Sequence, residues 1–390
     1  MSSQVLIVAA EASSSFLAQR LLENWKRQKK NIQAFGVGSD AMEKMGFERL
    51  GKSEEMAVVG ATEVIEHYGK LKSVFNSLVE AAAKRRPDFA LVLDYPDFNL
   101  MLAKKLKALN IPVIYYVSPQ VWAWRKGRVK KIKKYCEEIY VLFPFEMDFY
   151  QSQQMPVQFV GHPMLDEVQD RYFNVAEIQR EKQQRHVLPN QILIGLMPGS
   201  RKGEIQRHLK MQMEVASRLV KNYPQVKIAV LTAPTFTKEQ MQDSISTLME
   251  TNKNLSFPFV LLKDEPFEMI HICDYILVAS GTATLMVGLM EKPMVIMYKM
   301  NWFTEWIATI LVRGVKYFGL VNLILKEQAV PERWRSGANV EEIYQLMKRY
   351  IDEPSYTQQV IDKLKKLKVL LGDKGATDRV AQLLEKYFRK

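Results

Sequence analysis

Short apolar runs rich in Val, Ile and Leu recur along the chain and alternate with segments of helical spacing. In the first half the runs fall at 5–10, 32–36, 89–94, 111–117, 138–142 and 157–161, with helical patterns at 16–29, 71–86 and 100–109. The runs do not alternate apolar with polar residues, which predicts strands buried on both faces, as in a parallel sheet covered by helices. A second series starts at residue 192, with runs at 192–196, 226–231, 259–262, 275–279 and 294–298 and helical patterns at 204–221 and 237–250. The class is α/β, with two Rossmann-like domains in tandem. We place the first domain at 1–167, a polar connection at 168–190 and the second domain at 191–340. Residues 341–390 predict basic helices at 340–351, 356–371 and 376–388. These close the second domain, cross back to the first, or join a partner chain.

At about 100–200 residues per domain, the 390 residues accommodate this plan without disulfide or metal staples. Cys136 and Cys273 are too few for a disulfide framework or a four-ligand zinc site, and they read as buried, reduced thiols of a cytoplasmic protein. The N-terminal stretch turns apolar by residue 5, has no basic leader region and meets Glu11, so it reads as a first core strand rather than a signal peptide. The longest uncharged stretch, 275–290, is 16 residues. A membrane-spanning helix needs roughly 20, so none is predicted.

Charge adds a preference for anions. The chain carries a net +12, and residues 125–134 hold seven basic side chains in ten. Such a segment suits phosphate or anionic lipid, or is a plain solvated helix face. No RNA-binding aromatic signature or Cys/His finger accompanies it, so no nucleic acid partner is expected.

Ligands of doubly wound sheets bind beyond the carboxyl ends of the strands. Four loops of interest fall there. Residues 197–203 join a strand to a helix through Gly199, Ser200 and Arg201; a helix N-terminus plus a guanidinium suits a phosphate, and a plain turn is the other reading. The loop 279–285 offers Ser280, Gly281, Thr282 and Ala283 at another helix start, either for the same diphosphate or for tight packing. Asp94 ends a buried strand before Pro96, as a general base or as a structural carboxylate, and Asp97 reads as the cap of the next helix. Trp122 and Trp124 precede Arg125 and Arg128, lining an acceptor site or filling a core. The lone His162 at the end of the first domain reads as structural or as a hinge. The five histidines show no metal-ligand spacing, and no Asp-x-Asp pair is present.

The strings AEAS (10–13), EMAVVG (55–60), DYPDFN (94–99), YVSPQVWAWR (116–125), FPFE (143–146), GHP (161–163), PGSR (198–201), ASGTA (279–283) and Asn322-Leu323 occur in the order of one known family. The chain resembles the bacterial lipid-A-disaccharide synthases. The resemblance implies an inverting glycosyltransferase of GT-B type, its two Rossmann-like domains facing a cleft. It implies transfer of 2,3-diacylglucosamine from UDP-2,3-diacylglucosamine to 2,3-diacylglucosamine 1-phosphate, giving the β-1,6 disaccharide 1-phosphate and UDP. It implies no cofactor and no metal, a peripheral place on the anionic cytoplasmic face of the inner membrane, and a homodimer intertwined through the C-terminal region.

Carried onto this sequence, Asp94 is the base. Glu11, Ser13, Asn99, Trp122, Trp124, Arg125 and Arg128 serve the acceptor. Gly199, Ser200, Arg201, Ser280, Gly281, Thr282, Ala283 and Asn322 serve the donor. Apolar surface for acyl chains is expected at 56–65, including Val64 and Ile65, and at 300–320, including Trp302, Phe303 and Trp306. The latter stretch also reads as a buried amphipathic helix.

Two departures stand out. Ser14 and Ser15 replace the family's glycine and acidic residue after AEAS, and Met286 stands where the family has a glutamate beyond SGTA. A transferase using another lipid acceptor, or a silent lipid- or nucleotide-binding relative, is the alternative they leave open.

Overall fold

The computed structural model describes residues 3–56, 63–119, 128–299, 317–334 and 338–389. The chain forms two compact units: Met1–Pro163 with Leu371–Lys390, and Met164–Leu370.

In the first unit, seven parallel strands run β1 (Ser3–Ala9), β2 (Ile32–Gly38), β3 (Glu48–Lys52), β4 (Phe89–Leu93), β5 (Val113–Tyr116), β6 (Glu138–Val141) and β7 (Val157–Phe159). Their spatial order is β3-β2-β1-β4-β5-β6-β7. The chain reverses its direction of travel across the sheet between β1 and β4, where Ala9 pairs with Leu93. Val5–Ala9 and Phe89–Leu93 are fully buried, as strands covered on both faces require. One core gathers Leu6, Val8, Phe35, Val37, Val92, Leu102, Leu106, Tyr115 and Ile139. Burying each such aliphatic side chain contributes about 1.5–3 kcal/mol. Gly36, at φ +139°, lets β2 approach β1; a Cβ there would lie 2.1 Å from the Ile7 carbonyl oxygen.

The C-terminal segment packs onto this first unit. Helix Ala376–Leu384 lies against helix Ala12–Arg27, where Asp378 takes Arg27 at 2.9 Å and the Asn24 amide. Phe388 meets the rings of Trp25 and Phe89 edge-on, at 5.8 and 5.3 Å. Residues 371–390 thus belong to the first unit, and the tail up to residue 370 belongs to the second.

In the second unit, the parallel strands are β8 (Ile192–Met197), β9 (Val226–Leu231), β10 (Phe259–Leu262), β11 (Tyr275–Ala279), β12 (Met294–Tyr298) and β13 (Glu332–Trp334). Their order is β10-β9-β8-β11-β12-β13, reversing between β8 and β11. Residues 168–190, expected as a connection, are built into this unit. They form a 3-10 turn and helix Val175–Gln184, and the buried Lys182 ammonium holds both oxygens of Asp274 at 2.7 and 2.6 Å. Helices Val340–Asp352 and Pro354–Leu371 lie almost wholly in this unit. There the Tyr350 hydroxyl donates to the Met294 carbonyl at 2.9 Å.

Both cysteines are buried free thiols, and burial pushes each up to about 12. No helix among the described residues is long and apolar enough to cross a membrane.

Candidate active site

Each sheet has one point where the strand order reverses, and several of the candidate residues lie just past it, where α/β sheets bind ligands. In the first unit these are Glu11, two residues beyond β1, and Asp94, the residue after β4.

Asp94 and Tyr95 both take left-handed backbone, at φ 48° and 44°, and Val117 beside them takes φ 61°. Non-glycine residues seldom adopt this region, a β-branched valine least of all, and each such residue costs about 1–3 kcal/mol. The sequence gives one reason. Pro96 sits at the first position of helix Pro96–Ala108 and disfavours right-handed helical backbone at Tyr95. Named hydrogen bonds hold the turn. The buried Asn99 amide donates to the Leu93 and Asp94 carbonyls at 3.1 and 2.6 Å, and the Tyr115 hydroxyl donates to the Asp94 carbonyl at 2.6 Å. Asn99 is therefore buried beneath the strand end, where it positions Asp94. Asp97 does not cap the helix as expected. Tyr95 is the N-cap, and the exposed Asp97 carboxylate accepts from Arg128 at 2.6 and 2.7 Å.

The Asp94 carboxyl is pushed up to about 6, first by burial and then by the charge of Glu11, with the Tyr95 N–H partly offsetting the rise. A carboxylate raised this far is suited to accept a proton near neutral pH.

Glu11 caps helix Ala12–Arg27, and Ser13 is exposed on its first turn. The two departing serines are accounted for locally. The Ser14 hydroxyl accepts the Glu11 N–H at 3.0 Å, completing a capping box, and the buried Ser15 hydroxyl donates to the Ala9 carbonyl at 3.0 Å.

In the second unit the reversal falls between loop 198–201, after β8, and loop 280–282, after β11. Gly199 takes φ +131°, and a Cβ there would lie 2.5 Å from that of Glu204. This close approach lets Glu204 fold back over the loop. Its carboxylate accepts the Ser200 N–H at 2.9 Å and pairs with Arg201 at 3.3 Å, while Arg201 stays 62% exposed at the start of helix Lys202–Asn222. A carboxylate therefore already rests on the donors that a phosphate would use. Glu204 escaped the sequence reading, although a glutamate three residues past an N-cap signals this fold-back.

In the second loop, the Ser280 N–H donates to the Met297 carbonyl at 2.9 Å, and the Thr284 hydroxyl donates to the Gly281 carbonyl at 2.8 Å. Gly281 and Thr282 are exposed, with Ala283 and Met286 half-buried on the helix that follows. Asn322 differs from its expected role. It is fully buried, and its amide clasps both the N–H and the carbonyl of Val330, at 3.0 and 2.8 Å. It fixes a turn beside β13 rather than presenting a hydrogen-bonding group to a ligand.

His162 is buried against Phe143, with ring centroids 5.4 Å apart, and burial lowers it to about 4. Trp122, Trp124, Arg125, Trp302, Phe303 and Trp306 lie outside the described residues, as do the side chains of Val64 and Ile65. Among the described residues one trio, Glu181, Glu268 and His271, brings potential metal-ligand atoms within 4.8 Å of one another. Arg171 and Arg185 already neutralise its carboxylates, and in the chain the trio comes before β11, away from the loops at the strand's carboxyl end.

Two parallel, doubly wound sheets in tandem, each with polar loops at its reversal point, define the two-Rossmann class that includes the GT-B glycosyltransferases. The S. aureus MnaA–UDP structure has this fold (TM-score 0.63, 12% identity, 99% of this chain and 97% of that one). So does Acinetobacter baumannii MurG (TM-score 0.59, 13% identity, 98% and 99%). Within that class the chain belongs to the lipid-A-disaccharide synthetase family, whose model matches residues 5–385. The lipid-A-disaccharide synthase of Geobacter sulfurreducens is 35% identical over 386 residues, covering 98% of this chain and 97% of the relative. That of Myxococcus xanthus is 34% identical over 379 residues, covering 97% and 96%.

Proposed function

We propose that the chain is a lipid-A-disaccharide synthase. It transfers 2,3-diacylglucosamine from its UDP donor to the 6-hydroxyl of 2,3-diacylglucosamine 1-phosphate. The observation that carries this reading is the family match across both units, joined by a raised carboxylate at the first reversal point and an anion loop at the second.

In this reading Asp94 takes the acceptor hydroxyl proton as that oxygen attacks the anomeric carbon from the face opposite UDP. The glycosidic bond to UDP breaks and configuration inverts to β. Arg201, the loop N–H groups and the dipole of helix Lys202–Asn222 meet the charge developing on the UDP oxygen. Glu204 yields Ser200 N–H and Arg201 to the diphosphate. Asn99 and Tyr115 hold the Asp94 turn throughout.

The membrane face is assigned to the basic helix Arg128–Tyr135 and its neighbour Pro96–Ala108. Lys130, Lys131, Lys133 and Lys134 are exposed while Val129 and Ile132 are buried, and Lys104, Lys105 and Met101 are exposed next door. A lysine-rich face with an apolar tip suits an anionic membrane surface, the inner-membrane cytoplasmic leaflet in this reading.

The test is product analysis. UDP-2,3-diacylglucosamine and 2,3-diacylglucosamine 1-phosphate, incubated in detergent with the protein, should yield UDP and a β-1,6 disaccharide 1-phosphate by mass spectrometry and NMR. An α linkage would overturn the inverting step, and UDP formed without disaccharide would overturn the transfer.

A further inference from the structure

His208 and Gln212 stack one turn apart on helix Lys202–Asn222, and both are fully buried. His208 lies between two strand ends. Its Nδ1 is 3.0 Å from the Pro198 carbonyl, and its Nε2 accepts the Lys299 N–H at 3.2 Å. The accepting Nε2 carries no proton, so the neutral ring has its hydrogen on Nδ1 and donates it to Pro198. Gln212 makes a second tie one layer deeper, its amide donating to the Met197 and Leu277 carbonyls, each at 3.2 Å. Together the two side chains fasten the carboxyl ends of β8 and β12 and the middle of β11. Gly199, Ser200 and Arg201 therefore leave from two anchored carbonyls, and the Thr235 hydroxyl adds a third hold on the Ser200 carbonyl at 2.7 Å.

We propose that His208 and Gln212 are positioning residues of the donor site, a two-rung staple that sets the anion loop for the UDP diphosphate. The proposal rests on the donor-site reading above. Nothing in it places either side chain against the ligand.

The His208 rung has a definite electrical requirement. A second ring proton would turn Nε2 from acceptor to donor and face it against the Lys299 N–H. Burial, the largest influence, holds His208 below its ordinary value of 6.5, so the neutral ring persists at neutral pH. The other groups facing the ring are Arg207 and Glu204 on its own helix, which push in opposite directions, and Tyr298 and Lys299 from the end of β12. Loop order, and with it UDP affinity, should therefore fall once acid charges the ring.

The test is calorimetric UDP binding by the full chain, with kcat and donor KM, for wild type, His208→Gln, His208→Leu and Gln212→Leu. Glutamine keeps one donor and one acceptor; leucine removes both. At pH 7.5, His208→Leu and Gln212→Leu should each weaken UDP binding about tenfold and raise donor KM alike, with kcat little changed. His208→Gln should stay within about threefold of wild type on the same scale. As the pH is lowered from 7.5 through the point at which the His208 ring charges, located on the same protein by NMR of its ring protons, the wild type should lose UDP affinity relative to His208→Gln, a ratio that cancels the titration of UDP itself. Should the leucine variants not fold, this ratio still decides. A ratio flat with pH, or folded leucine variants binding UDP like wild type, overturns the staple alone. A wild type that binds no UDP overturns the donor-site reading on which the staple depends.

Discussion

In the first domain the chain leaves its reversal strands, β1 and β4, through Glu11 and Asp94. In the second it leaves β8 and β11 through Gly199–Arg201 and Ser280–Ala283. The architectural place is the same, and the chemistry is opposite. The first point carries two carboxylates, Asp94 on strained backbone, and burial, with the charge of Glu11 added to it, lifts Asp94 to about 6. The second carries glycine, hydroxyls and an exposed guanidinium at a helix start, with one carboxylate, Glu204, folded over it. A parallel sheet fixes where a ligand sits, and the residues at the strand exits decide whether that place holds a proton or an anion. A transferase needs both.

The largest effect expected from breaking this division is at Asp94. Asp94→Asn should lower kcat by about 10³-fold while UDP affinity stays at the wild-type level, read by UDP-release kinetics and calorimetry. On the other side, Arg201→Ala should weaken UDP binding by about ten- to a hundredfold, the loss expected for a charge-assisted contact, with little change in the pH dependence of kcat.

The contrast also predicts a stability effect confined to the first domain. Asp94 has a higher pKa folded than unfolded. Its contribution to stability is therefore greatest below about pH 4, the unfolded carboxylate value, and is lost as pH rises towards 6. Asp94→Asn removes that loss and should stabilise the protein at pH 8 by about 1–3 kcal/mol, measured by denaturant unfolding. A dead variant more stable than the active enzyme marks a site whose strain serves function.

Finer changes sharpen the comparison. Glu11→Gln removes a like charge from Asp94, so the acid limb of the kcat profile should move to lower pH. Ser14→Ala opens the capping box of helix Ala12–Arg27 and should cost about 1 kcal/mol in thermal unfolding, with UDP affinity unchanged.

Much of this was legible in the sequence because buried parallel strands announce themselves as unbroken apolar runs. The two strands that were missed are β3 (ERLGK) and β13 (ERW), both sheet edges. These two edge strands are short and charged and leave no apolar run to read, unlike the apolar edges β7 and β10. The positions of Asp94, Gly199 and Arg201 just past strand ends were legible. The residues that hold them were not. Tyr115, His208 and Gln212 act through backbone carbonyls contributed by other segments, a dependence no local spacing reveals. Asn322 and Asp97 erred the opposite way: polar residues in suggestive strings proved to clasp a neighbouring turn and to pair with Arg128.

The central claim is that the first domain supplies the proton acceptor and the second the hold on UDP. The most direct measurement is acceptor-dependent UDP release by Asp94→Asn at saturating donor, with UDP binding measured on the same preparation. The account predicts wild-type UDP affinity and release slowed by about 10³-fold. Release at the wild-type rate by that variant would contradict it.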